Sequence, residues 1–134
     1  MPNRKVPVQV LAIDDDGVIR SLLTTILAEI GYQVTIAASG TDALRLAATQ
    51  QYDLLLLDSE VPESNGINLL DEVKSRQFRV STIVIESDPS HEFSRIMTES
   101  EAVRVISTPI SDRQFVSAVR DTIKKRTKSK TRSF

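Results

Sequence analysis

Three apolar runs in this 134-residue chain each end in carboxylates, and that pattern constrains the fold more than any other feature. Val8-Gln9-Val10-Leu11-Ala12-Ile13 leads into Asp14-Asp15-Asp16, Tyr52-Asp53-Leu54-Leu55-Leu56-Leu57 into Asp58, and Thr82-Ile83-Val84-Ile85 into Glu86-Ser87-Asp88. Each run reads as a buried strand. In a parallel sheet the carboxyl ends of neighbouring strands face one crevice, where ligands bind. Carboxylates gathered there repel, by roughly 4 kcal/mol for two like charges 4 Å apart at an effective dielectric near 20. The economical occupant is a hard divalent metal together with a phosphoryl group. A single aspartate ending a strand is as often a helix cap or turn former. Three such sites at one sheet edge favour a metal site.

Between the runs lie helical patterns, five strand–helix alternations in all. Residues 8–13 read as the first strand. Val18, Ile19, Leu22, Leu23, Ile26, Leu27 and Ile30 then fall at three- and four-residue spacings, a helix over 17–30 with Gly31 as its stop. Residues 33–37 alternate as a short strand, and Ser39-Gly40-Thr41-Asp42 opens a helix running to about Thr49. Leu54 to Leu57 is apolar throughout, as in a strand covered on both faces. After Pro62 and Asn65-Gly66, a helix carries Ile67, Leu70 and Val73, with Leu69 beside them. Residues 82–86 form the fourth strand, 90–101 a weakly patterned helix, and Val103 to Ile106 the fifth strand. Ser111 and Gln114 have capping-box spacing ahead of Phe115, Val116, Val119 and Ile123. The alternation implies an α/β fold: a doubly wound five-stranded parallel sheet, flavodoxin-like (βα)5, with strand order 2-1-3-4-5.

The chain suffices for one domain, expected over residues 6–123, with an N-terminal tail at 1–5 and a basic C-terminal tail at 124–134. It has no cysteine, which excludes disulfides, thiolate chemistry and zinc–cysteine sites. No apolar run approaches the roughly 20 residues of a membrane span and no signal-type core follows Met1, so the expected address is the cytoplasm. The net charge of −1 conceals an asymmetry. Lys124, Lys125, Arg126, Lys128, Lys130 and Arg132 crowd the end with no acid among them, leaving an acidic body. Such a run is one sign of an arm for nucleic acid, membrane or an acidic partner, but a solvated, disordered terminus is the favoured reading. With no aromatic interleaved except Phe134, direct nucleic-acid binding is not expected, nor is membrane binding.

Taken together, the residues resemble the receiver domains of two-component response regulators. The matching stretches are Val10-Leu11-Ala12-Ile13-Asp14-Asp15-Asp16 with Arg20, Gly31-Tyr32-Gln33-Val34, Gly40 with Ala43-Leu44, Tyr52 to Asp58, and Pro62 with Gly66. Any one is weak; in this order and spacing they are strong. The resemblance implies that Asp58 accepts a phosphoryl group from a sensor histidine kinase or phosphotransfer protein. It implies that Asp14 and Asp15, with Asp58 and the backbone carbonyl of Glu60, hold Mg²⁺. It also implies that Ser87 hydrogen-bonds the phosphoryl group. Output would pass to a downstream protein target, and many receivers dimerise through the face of the fourth helix, fifth strand and fifth helix.

Three positions depart from the family. Thr108 stands where the family has a lysine, in Val105-Ile106-Ser107-Thr108-Pro109, and Arg104 should lie a strand-length from the crevice. Val105 falls where many receivers carry the aromatic that swings inward on activation. Asp88 replaces a small residue beside Ser87. The expectation is a stand-alone receiver, not an enzyme beyond its own phosphorylation and dephosphorylation, with altered switching. The alternative is an atypical pseudo-receiver that binds partners independently of phosphorylation. A phosphatase or flavin protein on the same fold is disfavoured, because the chain lacks a cysteine nucleophile, a glycine-rich loop after the first strand and aromatics to sandwich a flavin. His91, the sole histidine, sits in a polar stretch with no paired nucleophile and reads as a surface residue.

Overall fold

In a computed structural model of the protein, the residues described are 7–13, 25–58, 72, 73, 75, 76, 78–86, 103–107 and 110–131, with the backbone alone at 58, 86, 103 and 125–131. Five strands, β1 (Gln9–Ile13), β2 (Gln33–Ala37), β3 (Leu54–Asp58), β4 (Ser81–Glu86) and β5 (Val103–Ser107), form one sheet. All pairings are parallel, in the order β2-β1-β3-β4-β5. The expected topology is therefore the observed one. Each strand lies within a residue of its reading from sequence.

The unbroken apolar runs have a simple cause: both faces of the sheet are covered. Side chains alternate along each strand. Val10, Ala12, Leu54, Leu56, Ile83 and Ile85 share one core with Ile26, Leu27, Phe115 and Val119. Leu11, Ile13, Leu55, Leu57 and Val84 share the other with Ala37, Ala43, Tyr52 and Val73. A helical stretch at residues 25–29 and the Asp112–Thr131 helix thus lie over the first face, and the Gly40–Thr49 helix over the second. The rest of the expected 17–30 helix, most of the 67–73 pattern, and the 90–101 pattern with His91 lie outside the described residues.

Helix boundaries follow the local chemistry. Ser39 caps the Gly40–Thr49 helix, its side chain accepting from the Asp42 N–H at 3.2 Å. Asp42 pairs with Arg45, whose hydrogen bond holds the half-buried Asp42 carboxyl below its ordinary pKa. That contact therefore supports the fold above the ordinary carboxylate range and is lost as acid protonates Asp42. The capping box at the Asp112–Thr131 helix is reciprocal: the Gln114 N–H donates to Ser111 Oγ and the Ser111 N–H to Gln114 Oε1, both at 3.1 Å. The last described side chain buried along this helix is Ile123, yet the helix continues through Thr131. No helix among the described residues is long and apolar enough to cross a membrane.

Gly31 ends the first helical stretch in the left-handed region, at φ +88°. The Gly31 N–H donates to the Ala28 carbonyl and the Tyr32 N–H to the Leu27 carbonyl, both at 3.0 Å. This paired arrangement satisfies carbonyls that the helix end would leave free. A Cβ at Gly31 would meet nothing within 4 Å, so the cost of substitution is backbone strain alone. Gly31→Ala is expected to cost about 1–2 kcal/mol and Gly31→Asn less, read as a fall in urea midpoint at constant m-value.

Candidate functional site

Sheet register decides which acidic groups can meet. Ile13, the last residue of β1, pairs with Leu57 of β3, and Asp58 follows one position later. Across the other side of β3, Asp58 pairs with Ile85, and beyond it Glu86 of β4 pairs with Ser107 of β5. Asp58, Glu86 and Ser107 thus end their strands at the same carboxyl edge, with Asp58 on the central strand between β1 and β4. The chain leaves β1 for β2 on one side of the sheet and builds β3 to β5 on the other. The β1–β3 seam is therefore the topological switch point at which such sheets bind ligands.

Asp14, Ser87 and Thr108 are the next residues of the chain after Ile13, Glu86 and Ser107. With Asp15, Glu60 and Asp88 they lie outside the described residues, and Asp58 is described in its backbone only. The backbone of β3 thus places one expected site residue, Asp58, at the edge, one position beyond the Ile13–Leu57 pair that ends β1.

Two charged side chains near the runs have other work. Asp53, five residues before the acceptor position, sits at the opposite, amino edge of the sheet. Its Oδ2 accepts from the Gln9 N–H at 2.8 Å, its own N–H donates to the Gln9 carbonyl at 2.8 Å, and its carbonyl accepts from the Ser81 N–H at 3.2 Å. It fastens the starts of β1, β3 and β4 together. Asp53→Ala, which orphans a half-buried N–H, is expected to cost about 1–3 kcal/mol, and Asp53→Asn less, by chemical denaturation. Arg104 bonds Asp121 on the Asp112–Thr131 helix at 2.9 Å, well back from the end of β5. Both side chains are about half exposed, so the pair contributes little to stability.

Val105, the expected switch position, pairs with Val84 and packs half-buried against the core that contains Leu57. An open groove of roughly 570 Å³ lies elsewhere, between the stretch around Ile26–Ile30 and the Asp112–Thr131 helix. The roles of Asp53 and Arg104 were not evident from sequence. Nothing near either residue in the chain announces a partner 44 or 17 positions away.

The likeness to known proteins agrees with this geometry. The sequence profile of the response regulator receiver domain matches residues 10–120. The transcriptional regulatory protein CpxR of Klebsiella pneumoniae subsp. pneumoniae (strain HS11286) is 34% identical over 113 residues, spanning 84% of this chain and 47% of that protein. The Regulator of RpoS of Escherichia coli (strain K12) is 34% identical over 79 residues, 59% of this chain and 23% of that one. The chain thus spans about half, or less, of the length of these relatives. A receiver domain protein (CheY-like) from Methanospirillum hungatei JF-1 superposes with a TM-score of 0.82 at 26% identity, covering 92% of this chain and 99% of its own. With the profile matched from β1 to the middle of the last helix, and an aspartate ending the central strand beside β1, the chain belongs to the response regulator receiver domains of two-component systems.

Proposed function

We propose that this receiver takes a phosphoryl group onto Asp58 from the phosphohistidine of a sensor kinase or phosphotransfer protein in the cytoplasm, and signals by protein contact. The observation that carries the reading is the position of Asp58, last in the central strand and one step beyond the Ile13–Leu57 pair. An Asp58 carboxylate oxygen bonds to phosphorus as the phosphorus–nitrogen bond breaks, and the electron pair leaves on the imidazole nitrogen of the donor. Asp14, Asp15, Asp58 and the Glu60 carbonyl would hold Mg²⁺. When bound, the ion would supply positive charge to offset that of the carboxylates and the incoming phosphoryl group. The Ser87 hydroxyl donates to a phosphoryl oxygen. Transfer is to the protein itself, so no turnover of free phosphomonoesters is expected.

Switching is altered relative to the family. Thr108 offers a neutral hydroxyl where an ammonium group would pair with the phosphoryl, and charge-assisted bonds are about twice as strong as neutral ones. Val105, packed half-buried on the core, supplies no aromatic to move. Those two positions favour a second reading, a receiver fold that binds its partner whether or not Asp58 is phosphorylated. Intact mass measured with Mg²⁺ and a small phosphodonor separates the readings. One added phosphoryl group, absent in chelator and mapped to Asp58, supports the first. No addition, with Mg²⁺ binding still measurable, supports the second.

A further inference from the structure

We propose that the end of the Asp112–Thr131 helix is a nucleic-acid-binding rod that seats between the phosphate backbones of a duplex groove. Composition changes abruptly after Ile123, the last described side chain buried along this helix. Over residues 112–123, Arg113 and Arg120 are balanced by Asp112 and Asp121, and the helix is anchored by Phe115, Ala118, Val119 and Ile123. From 124 to 131 the helix continues for about 12 Å with Lys124, Lys125, Arg126, Lys128 and Lys130, no acid and no apolar residue. The sequence alone favoured a disordered tail. A helical backbone through Thr131 instead sets these residues at defined angles around the helix axis.

Those positions identify the surface the rod fits. At about 100° per residue the five cations fall near 0°, 40°, 100°, 200° and 240°, with no gap wider than about 120°. A flat anionic surface, such as a bilayer or one face of a protein, meets only one side of such a rod. A groove walled by anions on both sides meets nearly all of it. The major groove of a duplex is about 12 Å wide, close to the diameter of a helix, with phosphates along both rims. The segment has no apolar stripe to enter a bilayer and no aromatic to stack on unpaired bases. Binding is to backbone phosphates, without base selectivity.

The acidic edge does not oppose this. Arg104, second residue of β5, bonds Asp121, so the helix has already run back to the start of β5 at that point. Residues 124–131 therefore lead away from the edge where Asp58 and Glu86 end their strands. A five-residue strand separates the two by about 16 Å, beyond the screening length of about 8 Å at physiological salt.

The test is fluorescence anisotropy of the full chain with a labelled 20-base-pair DNA duplex at several salt concentrations. Five phosphate contacts predict about a 500-fold loss of affinity between 50 and 200 mM salt. Replacing Lys125, Arg126, Lys128 and Lys130 together by Gln is expected to lower affinity on the order of 100-fold at 100 mM salt and to flatten the salt slope, with thermal unfolding unchanged. Thr127→Pro keeps every charge but breaks the rod, and is expected to lose at least tenfold. Unchanged duplex affinity in Thr127→Pro would reduce the effect to loose charge and overturn the proposal. So would a single strand bound as tightly as the duplex, tighter binding to phosphatidylserine vesicles, or no duplex binding at 50 mM salt.

Discussion

Asp58→Asn is expected to abolish Mg²⁺-dependent phosphoryl uptake completely and, in chelator, to make the fold more stable. The first effect follows from nucleophilicity: the amide carries no charge and its oxygen does not form the acyl phosphate a carboxylate forms. The second follows from crowding. Asp58 ends β3 beside β1, and Asp14 and Asp15 follow β1 in the chain; in the proposed site, without metal, each carboxylate would raise the energy of the others. One repulsion at about 4 Å is worth between roughly 1 kcal/mol in water and roughly 4 kcal/mol at an effective dielectric near 20. A gain within that range is expected from urea denaturation in chelator. Mg²⁺ should narrow or reverse the difference, because an ion that binds only the native state stabilises the protein that binds it more tightly. A variant that still gains a phosphoryl group would move the acceptor elsewhere. A variant less stable than wild type in chelator would show that the carboxylates do not crowd.

The features legible in sequence are those governed by neighbours along the chain. The reciprocal bonds of Ser111 and Gln114 and the left-handed Gly31 depend on three or four consecutive residues, and the residue types announced them. β1, β3 and β4 were legible because each is an apolar run covered on both faces, which leaves little doubt about where it begins and ends, and β2 because its residues alternate. Contacts across the sheet were less so. Asp53 stands inside a run that points to Asp58, and only the register of β1 against β3 shows that it locks the amino edge while Asp58 ends at the carboxyl edge. The helical continuation past Ile123 was also hidden. Lys and Arg are good helix formers, but eight residues without an apolar face give periodicity nothing to report. The place of Asp58 at the end of β3 was legible because strand and carboxylate are adjacent in sequence, whereas Asp14, Ser87 and Thr108, expected around it, follow three other strands in the chain.

Phe115→Ala is expected to be the most destabilising single truncation in the Asp112–Thr131 helix, at about 3–5 kcal/mol. Phe115 is 1% exposed and among the largest fully buried side chains. It follows the capping box by one position and fills the first core with Ile83, Ile85, Ile106 and Val119, tying the helix to β4 and β5. Rigid strands on one side and a capped helix start on the other limit collapse into the space left behind, so the cost includes a cavity as well as lost transfer energy. For a domain of this size the change corresponds to a fall in Tm of about 10–20 °C. Two neighbours set the scale. Ser111→Ala, which removes the cap, should cost about 1 kcal/mol, and Val116→Ala, half-buried at the groove, less than Phe115→Ala by at least about 2 kcal/mol. Phe115→Leu should recover most of the loss, since it restores volume without a polar atom. The perturbed core lies on the sheet face opposite Leu57 and Val105. Molecules that remain folded at low temperature should therefore take up phosphoryl at the wild-type rate. A parallel loss of uptake at a temperature where circular dichroism shows native protein would mean that the two faces of the sheet are coupled through the strands, and that the last helix helps to set the geometry at Asp58.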